Sequence, residues 1–243
     1  MAEIEVIPYD PRWPEMFEFA KKAIENSLGD NLIEIHHIGS TSVPKLAAKP
    51  KIDIIAVANS RNRAIADLEK IGYMCKGEWN VPLKCGFTKK ENIGVNLHLF
   101  FESNHPEIEL NLMFRDYLRT HPDVRNEYAA VKRQILKDKR SHEKINGFPL
   151  YTIKKREFID SVIRTMGYNR LRILKCITEK EGNFIKDFQS DHGYFILYKG
   201  ADIIGYTSVF NGEICECHAP DGESFEYLLS TMEKWIGINF SCS

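Results

Sequence analysis

The spacing of hydrophobic and polar positions divides the chain into a succession of elements. Phe17, Phe19, Ala20, Ile24 and Leu28 recur near helical spacing after Pro14, a residue suited to a first helical turn, and Gly29 stops the run. Leu32 to Ile38 is a short apolar run holding His36 and His37, and it reads as a strand. The small hydroxyl residues of Gly39-Ser40-Thr41-Ser42 then suit a tight turn into a helix N-terminus. Lys51 to Ala58 is a buried strand with one acid, Asp53, and Arg61 to Ile71 is a helix ending at Gly72. Tyr73 to Phe101 reads as short strands, with a hairpin turn at Glu91-Asn92-Ile93-Gly94. In the last of these strands His98 falls on the face opposite Leu97 and Leu99. From Pro106 to about Gly167 the pattern is helical, broken near His121-Pro122 and Asn146 to Pro149.

The remainder changes character. Tyr194 to Tyr198 and Ile203 to Phe210 form a β-hairpin, and Glu213 to His218 a third strand. Ser224 to Ile236 is a helix with Phe225, Leu228, Leu229, Met232, Trp235 and Ile236 on one face. Charge marks the same division. From Leu171 onward there are six Lys and Arg against eleven Asp and Glu, a net of −5, which leaves +4 for residues 1–170. With Gly and Asn at Met166-Gly167-Tyr168-Asn169, the expected units are residues 1–168 and 169–243. The fold class expected is α/β (or α+β): a mixed sheet packed by helices, followed by a small hairpin-and-helix unit.

Composition narrows the function classes. Apolar residues at 43% and charged residues at 28% exclude a disordered chain or a coiled-coil rod. The net charge of −1 gives no global field for nucleic acid or a membrane surface, and no apolar run is long enough to span a bilayer. The N-terminus lacks the layout of a signal peptide, so a cytoplasmic location is expected. The six cysteines contain no C-x-x-C pair and are expected as free thiols; Cys215-x-Cys217-His218 reads as a strand carrying two thiols rather than a metal site.

The candidate chemistry lies at His37-Ile38-Gly39-Ser40-Thr41, with eleven residues between Thr41 and Asp53 at the start of an apolar strand. Backbone N–H groups and hydroxyls of such a turn suit phosphate oxygens, and a carboxylate on the next strand can hold Mg²⁺ against them. A merely structural turn is the alternative. Lys49 is placed to neutralise phosphate, or is a solvated lysine. Arg115, Asp116 and Arg119 either pair internally or reach a phosphate. Tyr151 and Lys154 lie one turn apart and either close over the pocket or leave Tyr151 as a packing residue. Of the adjacent histidines only one faces the site, and His37 is the choice, with a satisfied buried histidine as the alternative. Lys132, Arg133, Lys137, Lys139 and Arg140 carry no interleaved aromatics and read as a solvated helix face, not an RNA surface.

The run HHIGSTSVPKLAAKPKIDI resembles the signature of the GrpB family, within the nucleotidyltransferase superfamily. YDPRWPEMF, NLHLF, FRDYLRTHPDVRNEYAAVKRQI and YTIKKREFI extend the resemblance over about residues 4–166. It implies a nucleotidyltransferase fold, an NTP, Mg²⁺ or Mn²⁺, and metal-dependent transfer to an unknown acceptor. Gly39, Ser40 and Asp53 fall on the superfamily's Gly-Ser and metal-carboxylate positions, with Asp53 the metal ligand and His98 the nearest match to a further acid. Two departures stand out: Ile55 occupies the position of a second acid, and Lys45 stands where family members commonly have Gly. A non-catalytic nucleotide-binding or scaffold domain is therefore the second reading.

The segment YFILYKGADIIGYTSVFNGEI resembles GNAT-type N-acetyltransferases. That resemblance implies an acyl-CoA-dependent activity as a third reading. However, ECHAPDGES lacks the Q/R-x-x-G-x-G/A pyrophosphate turn and carries three acids, so acetyl-CoA is not an expected cofactor and the unit reads as shortened. A truncated sheet has an open edge, which can dock on the first unit or on a second copy as a homodimer.

Overall fold

The computed structural model describes residues 4–90 and 93–240. Part of the Glu91–Gly94 turn and Cys242 fall outside them. Helix α1 (Trp13–Leu28) has proline in its first turn and ends at Gly29, as the apolar spacing requires. Strand β1 (Leu32–Ile38) leads into a single 3-10 turn, Ser40–Ser42, and then to β2 (Lys51–Ala58). The helix expected after the Gly-Ser turn does not form. Thr41 and Ser42 spend their hydroxyls on backbone carbonyls, Lys51 and Gly39 respectively, and so tighten a loop instead.

Helix α2 (Arg61–Lys70) and strands β3 (Met74–Cys75) and β4 (Cys85–Lys89) lead to β5 (Gly94–Phe100). The five-stranded sheet runs β1-β2-β5-β4-β3, and β2 and β5 are parallel because α2, β3 and β4 supply the crossover between them. One face carries Ile52, Ile54, Ala56, Leu97 and Leu99, packed on α1 and α2 through Trp13, Phe17, Ile24, Leu28, Ala64 and Leu68. The opposite face, by strand alternation, carries Asp53, Ile55 and Val57 beside Asn96, His98 and Phe100.

Helices α3 (Pro106–Thr120) and α4 (Pro122–Leu136) follow, then the short pair β6 (Lys144–Ile145) and β7 (Phe148–Pro149), then α5 (Leu150–Lys154) and α6 (Arg156–Thr165). The second sheet comprises β8 (Leu171–Lys175), β9 (Gly193–Lys199), β10 (Asp202–Phe210) and β11 (Glu213–His218), with the short α7 (Glu179–Gly182) between β8 and β9. It is antiparallel throughout, in the order β11-β10-β9-β8. Helix α8 (Gly222–Phe240) covers one face through Leu228, Met232 and Trp235. Phe225, expected on that buried face, is exposed; Ser224 is buried instead.

The other face of this sheet packs on the first. Leu174, Tyr194, Ile196 and Tyr198 share a core with Ile38, Ile55, Val57 and Phe100. This explains why Tyr194–Tyr198 is apolar at every position: the strand is buried on both sides. The layers run α1/α2, first sheet, second sheet, α8. At the start of α8 the Asp221 carboxylate accepts from the Ser224 N–H, so an acid occupies the helix N-terminus that the acetyltransferase resemblance would give to a pyrophosphate.

Candidate functional site

The turn after β1 brings Gly39 onto Asp53. Gly39 has φ +69°, and a Cβ there would stand 2.6 Å from Asp53 Oδ2. Both the backbone conformation and the close approach therefore require glycine. Asp53 lies opposite Asn96 in the β2–β5 register, and Asn96 Nδ2 donates to Asp53 Oδ1 at 2.7 Å. Burial raises the Asp53 pKa; the Asn96 hydrogen bond and the ammonium groups of Lys51, Lys155 and Lys49 pull the other way without cancelling it.

Four lysines converge here from three parts of the chain. Lys49 lies over the Tyr151 ring, 4.1 Å from its centroid, and Lys155 lies 4.7 Å from the same ring. Lys51 opens β2. Lys132, on α4, is 1% exposed; it donates to Ser40 Oγ at 3.2 Å and to the Ala47 carbonyl, and sits 4.6 Å from the Tyr128 centroid. Tyr128 also hydrogen-bonds Ser40. Burial, with Lys155 and Arg133 nearby, takes Lys132 down to about 7; burial and Lys155 take Lys49 down to about 8.

The structure redistributes the residues singled out by sequence. Gly39, Ser40, Asp53, Lys49 and Tyr151 come together. His37 does not join them: it stacks on Phe17 of α1, with centroids 4.6 Å apart, on the face away from Asp53. Burial, with Arg119 and Arg115, lowers its pKa to about 4. His36 takes the other face and bonds Glu34 at 2.8 Å. Thr41 is 1% exposed, between His37 Nε2 and the Lys51 carbonyl, and serves the loop.

Arg115 and Arg119 also act as struts. Arg115 holds the His37 carbonyl and Asp116, and Arg119 holds the Ser42 carbonyl. Lys154 points away and pairs with Asp138 at 2.7 Å, because one residue along α5 turns the side chain by about 100°. Its neighbour Lys155 takes the inward position. His98 stands opposite Ile55 rather than Asp53, edge-on to Trp79 at 5.0 Å, and burial keeps it neutral. Asn96 is the β5 residue that meets Asp53.

Sequence reasoning passed over Lys132 and Lys155. Lys132 stands in sequence among basic neighbours that read as a solvated face, yet it follows Tyr128 by four residues and so shares that buried face. The donor set suits one divalent cation shared between Asp53 and phosphate oxygens, since Mg²⁺ is commonly held by one or two carboxylates plus phosphates. It does not suit two cations. Ile55 is buried and apolar, and among the described residues no group of three or more His, Cys, Asp or Glu gathers. No helix among the described residues is long and apolar enough to cross a membrane.

Comparison with known proteins places this architecture. The UPF0157 protein YqkA of Bacillus subtilis is 38% identical over 136 residues, covering 55% of this chain and 40% of that protein's length. The glutamate-rich protein GrpB of Alkalihalophilus pseudofirmus is 26% identical over 177 residues, 68% of this chain and 96% of that one. The crystal structure of the conserved protein GrpB from Enterococcus faecalis superposes with a TM-score of 0.54 at 29% identity, covering 65% of this chain and 99% of that one. The family model described as GrpB protein matches residues 3–165, and the chain belongs to the GrpB family.

Proposed function

We propose that this chain binds a nucleoside triphosphate at the Gly39–Ser40 turn. Lys49, Lys132 and Lys155 neutralise the phosphates, and Asp53 recruits one Mg²⁺ or Mn²⁺ that the phosphates help to hold. The observation that carries the reading is the charge balance: Lys49, Lys51 and Lys155 act on a single carboxylate while Lys132 bonds the adjoining Ser40, and burial takes Lys49 down to about 8 and Lys132 to about 7. Buried and half-buried ammonium groups that outnumber the one carboxylate among them are relieved by a polyanion. Nucleotidyl transfer to an acceptor is the finer form of the reading, favoured by the contact between Gly39 and Asp53. The lone acid makes transfer depend on that single shared ion.

Calorimetric titration of the four NTPs, in EDTA and in Mg²⁺, tests this. Binding of at least one NTP is expected in EDTA, driven by the lysines. Lys155→Ala should weaken it at least tenfold, about 1.4 kcal/mol. Asp53→Asn should bind equally or more tightly in EDTA and lose the gain from Mg²⁺. Absence of binding by every NTP in both conditions would refute the proposal. Pyrophosphate release on adding candidate acceptors separates transfer from binding alone.

A further inference from the structure

Packing the second sheet on the first leaves a cavity of about 340 Å³ between them, with α3, α5 and α6 at its sides. That lies within the ~300–1,000 Å³ common for small-molecule pockets. The walls are largely apolar, with Ile55, Phe100, Leu110, Phe114, Ile163 and Leu174 among them. One buried lysine lines this space with Glu107 and Glu78 near it but no carboxylate at bonding distance. Lys84 is 4% exposed and lines the cavity; its ammonium lies 5.2 Å from the Trp79 ring centroid and makes no hydrogen bond or ion pair among the described residues.

The other lining cations are engaged. Arg172 bonds Glu107, Arg115 bonds Asp116, and Arg156 bonds Glu181. The platform under Lys84 is fixed: a Cβ at Gly86 would stand 2.8 Å from the Trp79 indole, and His98 meets the same ring edge-on. Glu107 is bonded to Arg172, and Glu78 to the Leu83 N–H and Trp235, so the buried ammonium over the indole keeps its hydrogen-bonding capacity unused, which is costly unless an acceptor reaches it.

We propose that the inter-sheet cavity binds an apolar monocarboxylate, its carboxylate on Lys84 and its hydrocarbon body along the apolar walls toward the Gly39–Ser40 turn. Glu107 and Asp160 also line the cavity, which disfavours a dianionic phosphate headgroup. Register sets the length. Lys84 precedes Cys85, which pairs with Leu99, while the Gly39 end of the cavity lies by Asn96 and Asp53. The interval of about four strand residues, at ~3.3 Å each, spans roughly 13 Å, the reach of a medium-chain acyl group. Both sheets build this pocket; its far end meets the Gly39–Ser40 turn, while the Lys84 end lies outside the proposed nucleotide site, so loss of decanoate binding in Lys84→Met with NTP binding kept separates the two readings.

The test is calorimetric titration of the full chain with decanoate, decanol and decyl phosphate. Decanoate is expected to bind at least tenfold more tightly than either analogue. Lys84→Met, which keeps the apolar stem, should lose at least tenfold for decanoate, and Lys84→Arg should retain most of it. Thr152→Trp, at an exposed position on the cavity lining, should block entry even if Lys84→Met fails to fold. Equal binding of decanol and decanoate, undiminished binding by a folded Lys84→Met, or no decanoate binding would each overturn the proposal.

Discussion

Glu107 and Asp53 are both acids drawn into the protein, and they sit in opposite company. Glu107 on α3 accepts from Arg172 Nε of β8 at 2.6 Å, and Arg172 also holds the Gly200 carbonyl. Burial alone would raise the Glu107 pKa, but the charge and hydrogen bond of Arg172 carry it below the usual carboxylate range. Asp53 has several ammonium groups around it and a hydrogen bond only from the neutral Asn96, and burial prevails. The difference is geometric. A guanidinium fork at bonding distance closes one acid into the architecture, while dispersed lysines leave the other open to a ligand. Glu107–Arg172 joins the two sheet units; around Asp53, on the reading proposed above, a phosphate and a cation complete the charges.

The sharpest way to break this contrast is to delete each acid in turn. Glu107→Ala strands Arg172, which is 6% exposed, and should cost about 3–5 kcal/mol in urea unfolding. Asp53→Asn removes a charge that burial penalises and should unfold no earlier than the wild type. Equal destabilisation by both variants would show that Asp53 is also a structural partner. Gly39→Ala comes next. It forces a Cβ into Asp53 Oδ2 and a non-glycine residue into φ +69°, at a cost of about 1–3 kcal/mol, with NTP binding lost as the carboxylate is displaced.

Titration separates the two environments in sign. The Glu107 pKa is depressed in the fold, so its stabilisation is present above the unfolded carboxyl value and is lost as pH falls through the folded one. The Asp53 pKa is raised, so its penalty fades as pH falls through its folded value, and the advantage of Asp53→Asn should shrink there. The lysines act at the other end. Lys132 at about 7 and Lys49 at about 8 lie below their unfolded values, so the unfolded chain binds more protons and stability should rise with pH above about 7. NTP affinity should fall over the same range as those charges are lost, by roughly tenfold or about 1.4 kcal/mol between about pH 7 and pH 9. Parallel melting and binding curves across that range check both. Affinity that is flat while the melting temperature rises would remove the lysines from the site.

Much of this was legible where the signal is local. Leu32 to Ile38, Gly39-Ser40 and Lys51 to Ala58 follow one another without interruption, and the structure places β1, the turn and β2 on those residues. Asp53 and Lys49 belong to the same stretch. The partners that define its chemistry do not. Lys132 and Lys155 arrive from helices distant in sequence, where a lysine reads as solvent-facing until its aromatic neighbour is seen. The choice between His36 and His37 turned on strand phase, which the helix covering one face decides and the strand alone does not. β8 gives little signal in sequence because Leu171–Lys175 is short and is stabilised by pairing with β9 and by the Arg172 ion pair rather than by its own alternation.

The smallest effect concerns the loop that carries Lys49. Lys45 is exposed and adopts φ +67°, a conformation natural to glycine, which the resemblance gives at this position. Its charge points to solvent, unlike those of Lys49 and Lys132, so its contribution is mainly backbone strain. Lys45→Gly should relieve about 1–2 kcal/mol of left-handed strain and add back part of that as unfolded-chain entropy, for a net gain of roughly 0.5–1 kcal/mol. Urea midpoints measure the gain, and an NTP titration shows whether the loop needs its strain. Unchanged affinity would confine the binding role to the buried lysines. Weaker affinity with higher stability would mean that the strained turn at Lys45 holds Lys49 over Tyr151, and that the open acid depends on the loop as well as on its charges.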